Sequence, residues 1–329
     1  MILYLSNFLS RKGRTPQPCE LILHKMGDEH NIIARSGRNA YIPRILDEVS
    51  AIFRYKNKLQ LVVIDLYAYR SFYLACLCGI ICSSLKLPYV SVLHSHELEQ
   101  KFQTRSKLLL RFLKHAQLNI CPSEFFYQKI TELKLPALII PNAIELGNYP
   151  FSSPELDYPR LLWVRTIHPK YNPQLAINTL HKLIKLFPQS KLTMVGPFTE
   201  PEYGNCKLLI KKLHLENSIQ FTGYISKKEW LNLVLANNIF INTTNYDNTP
   251  VSLIEAAASG LPIVSTNVGG IPHLIEDKKE ALLVPPDDSE KMAQAVLDVF
   301  RNKTSTTRSN ISTGISVETV TFGDTSNGR

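Results

Sequence analysis

Two short stretches of this chain carry side chains of complementary chemistry. Arg165 and Lys170 stand five positions apart in one loop, and Asp247 and Glu255 stand eight apart around Asn248, Thr249, Pro250, Val251 and Ser252. A guanidinium binds two anionic oxygens at once, and an ammonium adds a point charge. A helix start adds free N–H groups and the positive end of a dipole, so these parts together suit a phosphate. A carboxylate further along the same helix could accept hydrogen bonds from a diol. Each part also has an ordinary use: loop cations are mostly solvated, and a capped surface helix with an exposed Glu is common.

Elements must bring these groups together. Ile239-Phe240-Ile241 has the pattern of a buried strand, and the helix after it can be bounded from its residues: Thr249 suits the N-cap, Pro250 the first position and Gly260 the C-cap, while Pro262 forbids continuation. Leu161 to Arg165 is a second apolar strand, emptying into the loop of Lys170. Strand patterns also fall at Ile2 to Leu5, Asn31 to Ala34, Leu61 to Asp65, Tyr89 to Leu93, Leu118 to Cys121 and Leu138 to Ile140. The second half adds Lys191 to Val195, Ile219 to Thr222, Ile263 to Ser265 and Leu282 to Val284. Helical stretches separate them, which predicts α/β architecture with two Rossmann-like domains, since ligands in such sheets bind at the carboxyl ends of the strands. The expected division is a first domain over 1–150, a Pro- and Ser-rich linker over 151–159, a second domain over 160–302 and a polar, disordered tail over 303–329.

The Asp247 to Glu255 segment resembles the donor site of glycosyltransferase family 4, retaining enzymes of the GT-B fold, in which two Rossmann-like domains face a central cleft. That family carries Glu-x7-Glu, with Asp247 here at the first position. The resemblance implies that Glu255 holds the ribose hydroxyls of a nucleotide and Asp247 faces the donor sugar, with Asn248 to Ser252 lining the phosphate end. It implies that Arg165 and Lys170 grip the diphosphate, although the family often has Gly where Val164 precedes the Arg. His94, just past a buried strand, matches the family's His facing the donor sugar; His96 and Glu97 lie close enough in sequence to compete for that role. Ser10 to Thr15 matches the first loop near the donor phosphates, with Gly13 as its only glycine. Ser265-Thr-Asn-Val-Gly-Gly-Ile-Pro272 reads as a turn, or as a place where backbone approaches a ligand. Pro141-Asn142-Ala143-Ile144 and Val195-Gly196-Pro197 resemble further family turns. The implied reaction moves a sugar from a nucleoside diphosphate donor to a glycan or lipid-linked hydroxyl, with retention and without a protein nucleophile, metal or cofactor.

Composition is compatible with that resemblance. A chain of 329 residues with 44% hydrophobic content can fill two cores. A dehydrogenase or P-loop enzyme is excluded by the lack of Gly-x-Gly-x-x-Gly and of a Walker motif. The formal charge of +9 suits an anionic substrate or membrane surface, while no nucleic-acid module is evident. Arg105 to Lys114 has a basic and an apolar face, as an interfacial helix or an ordinary domain helix does. The six Cys form no Cys-x2-Cys, and Cys76, Cys78 and Cys82 fall in an apolar run too short to span a bilayer. With no signal-like start, the expected location is cytoplasmic, with room for peripheral contact at the inner membrane face. The residues after Lys303 read as an altered or truncated end. Two alternatives to a transferase stay open: a nucleotide-sugar binding protein without turnover, and another GT-B enzyme such as an epimerase or hydrolase.

Overall fold

The computed structural model describes residues 1–8, 20, 23, 31–36, 38, 40–94, 97–142, 144, 146–149, 151 and 154–301, without the side chains of 227 and 228. Gly13, His96, the first loop and the tail over 303–329 lie outside the described residues. The chain divides into one unit over Met1–Ala143 and another over Ile144–Arg329.

In the first unit the order is β1 (Ile2–Leu5), β2 (Ile32–Arg35), α1 (Tyr41–Tyr55), β3 (Leu61–Leu66), α2 (Tyr69–Ser84), β4 (Tyr89–Leu93), α3 (Leu98–Gln103), α4 (Lys107–His115), β5 (Leu118–Cys121), α5 (Glu124–Glu132) and β6 (Ala137–Ile139). The strands form one parallel sheet in the order β2-β1-β3-β4-β5-β6. The chain reverses direction across the sheet between β1 and β3, so a crevice is expected at their carboxyl ends. Leu109, Phe112 and Leu113 of α4 are buried in this unit's core. The amphipathic stretch over Arg105 to Lys114 is therefore a domain helix, because its apolar side is already buried in this unit's core. Cys76, Cys78, Cys82 and Cys121 are free and buried here, as Cys206 is in the second unit. Burial pushes Cys76, Cys82, Cys121 and Cys206 up to about 12, which keeps them as inert thiols.

The second unit runs β7 (Arg160–Val164), α6 (Pro173–Ile184), β8 (Lys191–Val195), α7 (Glu202–Lys212), β9 (Ile219–Gly223), α8 (Lys227–Ala236), β10 (Ile239–Asn242), α9 (Val251–Ala258), β11 (Ile263–Thr266), α10 (Ile271–Leu274), β12 (Leu282–Val284) and α11 (Ser289–Arg301). Its parallel sheet has the order β12-β11-β10-β7-β8-β9. Strands β7 to β9 build outward, and β10 returns to the other side of β7. This reversal sets the carboxyl ends of β7 and β10 side by side, the place where such sheets bind ligands.

Strand ends differ from the sequence expectation by at most one residue, as β7 does by ending at Val164. The start of α9 requires a correction. Pro250 is the N-cap, with φ −66° and ψ 109°, and no side chain caps the helix. The Pro250 carbonyl accepts the Leu253 N–H at 3.0 Å, which puts Pro250 outside the helix and leaves Thr249 one position too early to cap it. At the other end Ser259 is the C-cap, and Gly260 stands one position beyond the place expected for it. Gly260 has φ +80°, its N–H bonds the Ala257 carbonyl at 2.9 Å, and the Leu261 N–H bonds Ala256 at 3.1 Å, a Schellman closure.

Candidate active site

At the β7/β10 switch point, Arg165 Nη2 donates to Asp247 Oδ2 at 2.8 Å, with both side chains largely buried. The other carboxylate oxygen of Asp247 accepts the Asn248 N–H at 2.8 Å. Asp247 therefore orients the guanidinium instead of standing alone. The loops after the two strands are tied together: Asn245 N–H bonds Lys170 O at 3.0 Å, and Thr243 Oγ1 lies 2.9 Å from the carbonyls of Tyr171 and Asn172. Thr243 also accepts the indole N–H of fully buried Trp163 at 2.7 Å.

Tyr171 gathers the cations. The Arg165 guanidinium lies 5.5 Å from its ring centroid and Lys170 Nζ lies 5.3 Å from the same ring, within cation–π range. Among the described residues, the buried polar atoms without a hydrogen-bond partner include Arg165 Nε, and Ser252 Oγ in the first turn of α9. Orphaned buried polar groups are uncommon, and an ordered water, an ion or a bound group is what satisfies them. The start of α9, whose N-cap Pro250 makes no side-chain cap, stands on the same segment as Ser252 and sets the positive end of the helix dipole there.

Glycines hold this arrangement closed. A Cβ on Gly269, whose φ is +57°, would come 2.0 Å from the Asp247 carbonyl oxygen, and one on Gly270 would come 2.1 Å from that of Asn248. The Gly270 N–H bonds the Asp247 carbonyl at 3.0 Å. These residues allow the 265–272 turn to approach the backbone of the Asp247 loop. Gly196 does the same at β8, where a Cβ would meet the Arg165 carbonyl oxygen at 2.0 Å.

Glu255 lies on the second turn of α9 and accepts a hydrogen bond from the Tyr149 hydroxyl. Tyr149 has no motif around it, and the contact joins residues 106 positions apart, so the sequence holds no signal for it. Tyr171 and Thr243 are likewise visible only once the loops are folded together.

His94 belongs to the first unit. Its Nε2 stands 3.0 Å from Asp65 Oδ1 without the alignment of a hydrogen bond, and its ring stacks on Tyr67 at 4.9 Å. Asp65 is buried at the end of β3 and accepts from the Tyr4 hydroxyl at 3.1 Å and from Ser6 Oγ. The polar cluster thus occupies the β1/β3 switch point of its own sheet. Among the candidates, the structure joins Arg165, Lys170 and Asp247 with the segment Asn248 to Ser252 and Glu255 in the second unit, and places His94 in the first.

Comparison with known proteins agrees with this architecture. The family profile described as glycosyl transferases group 1 matches residues 148–314, and that described as glycosyltransferase family 4 matches residues 9–148. Glycogen synthase of Mycobacterium tuberculosis is 25% identical over 228 residues, covering 65% of this chain and 55% of that protein. The chain thus spans about half the length of that curated relative. Among solved structures, Anabaena HepE in complex with UDP-glucose superposes with a TM-score of 0.73 at 17% identity, covering 97% of this chain and 94% of that one. Sucrose-phosphate synthase of Thermosynechococcus elongatus gives 0.74 at 18% identity, covering 97% and 92%. Two parallel-sheet Rossmann-like units, with cations and a helix start at the switch point of the second, are thus met by profiles that between them run from residue 9 to residue 314, and the chain belongs to the glycosyl transferases group 1 family, of the GT-B fold.

Proposed function

We propose that this protein moves a sugar from a nucleoside diphosphate donor to an acceptor hydroxyl, with retention at the anomeric carbon. The observation that carries this is the Arg165–Asp247 pair at the β7/β10 switch point, beside Lys170 and an uncapped helix start. Arg165 and Lys170 neutralise the diphosphate as the bond to the sugar breaks, and α9 contributes its N–H groups and dipole. Asp247 fixes the guanidinium, and Glu255 receives the ribose hydroxyls. The departing diphosphate takes the acceptor proton, so no protein nucleophile is assigned. Glycans and lipid-linked glycans are the acceptor classes to try first, and UDP-glucose is the first donor to try because HepE was solved with it.

The test is acceptor-dependent release of nucleoside diphosphate from a panel of nucleotide sugars, with the product's anomeric configuration read by NMR. A retained configuration is expected. Binding without release would favour a carrier role, an epimerised donor would favour another GT-B activity, and an inverted product would contradict retention.

A further inference from the structure

Tyr149 is an aromatic residue whose two ends do different things. Its ring sits in the apolar cluster that holds Leu253 and Ala256 of α9, with 8% of the residue exposed. Its hydroxyl donates to Glu255 Oε1 on that same helix. The residue is anchored from below as well, since its N–H bonds the Leu146 carbonyl at 2.8 Å. A phenol fixed by core packing is therefore aimed at a carboxylate on a long side chain and narrows the rotamers open to it.

We infer that Tyr149 is a positioning residue for nucleotide recognition: it holds the Glu255 carboxylate in the orientation that receives the ribose diol. The inference rests on the assignment of Glu255 to the ribose and adds a residue to it. An ionised carboxylate offers about four acceptor sites on two oxygens. Tyr149 takes one of them. A donor to a charged acceptor makes a strong contact, so the side chain is ordered before the nucleotide arrives and less freedom is lost on binding. Tyr149 itself touches the carboxylate, not the sugar, and its effect passes through Glu255.

Calorimetric titration of the full chain with UDP, GDP and ADP, and with the 2′,3′-dideoxy form of each, tests this. Wild type should prefer the diol form of the diphosphate it binds, and Glu255→Ala should abolish the preference. Tyr149→Phe keeps the ring in its cluster and should lower the preference on the order of fivefold, leaving dideoxy affinity unchanged. In the Glu255→Ala background, Tyr149→Phe should have no further effect. If Tyr149→Phe weakens both forms equally, or leaves the preference intact while Glu255→Ala removes it, the inference is overturned and the ribose assignment stands. If none of the three diphosphates binds, or Glu255→Ala keeps the preference, the ribose assignment fails and the inference fails with it.

Discussion

Glycine at 269 and 270 is a requirement of contact distance. A methyl group at Gly269 would collide with the Asp247 carbonyl oxygen in a backbone conformation that L residues already disfavour. Gly269→Ala should therefore lower stability by about 3 kcal/mol, combining backbone strain with forced displacement. It should also weaken nucleotide binding, because the loop that must move carries Asp247. Gly147→Ala is the control, since a Cβ there meets nothing within 4 Å. Urea midpoints and nucleotide affinities check both variants; a Gly269→Ala protein equal to wild type would show that the turn does not brace the site. At this scale much was legible from residue types: Arg165, Lys170, Asp247 and Glu255 are chemical groups whose spacing already suits an anion and a diol. Their pairing was not legible. Arg165 and Asp247 are 82 positions apart, and only the reversal of strand order brings them to 2.8 Å.

Elements were legible where local signals agree, as in α9, whose Gly260 and Pro262 define its end. The start was legible only to one residue, because a proline fits either the cap or the first turn and packing decides between them. Helix α1 holds a feature that periodicity hides, an acid facing the core. Glu48 is buried, with Arg44 Nε donating to it at 2.8 Å and Cys78 Sγ 3.9 Å away. Burial raises its carboxyl to about 7, and the nearby Arg44 opposes the rise. A raised folded-state value means the folded form holds the proton longer. The resulting stability is fully present below the ordinary glutamate value of about 4.5 and is lost as pH rises through about 7. It amounts to about 3 kcal/mol between those limits. The difference in unfolding free energy between wild type and Glu48→Gln should vary across this window and be flat above it. A difference constant from pH 4.5 to pH 7 would contradict the assignment.

For the whole molecule, alternation of strand and helix announces two parallel sheets, yet it leaves strand order open. Order is what matters for function. In the second unit β10 returns beside β7, and this single topological fact gathers cations, a carboxylate and a helix start from loops far apart in sequence. The first unit places its own polar cluster, Asp65 with Tyr4, Ser6 and His94, at the corresponding reversal between β1 and β3. The central claim is that the cationic loop of the second unit is a diphosphate site. Direct titration of UDP, GDP and ADP into wild type, Arg165→Ala and Lys170→Ala tests it most directly. Loss of at least about tenfold in diphosphate affinity is predicted for Arg165→Ala, with a smaller loss for Lys170→Ala, as expected for a bidentate contact beside a point charge. Wild-type affinity in both variants would contradict the account.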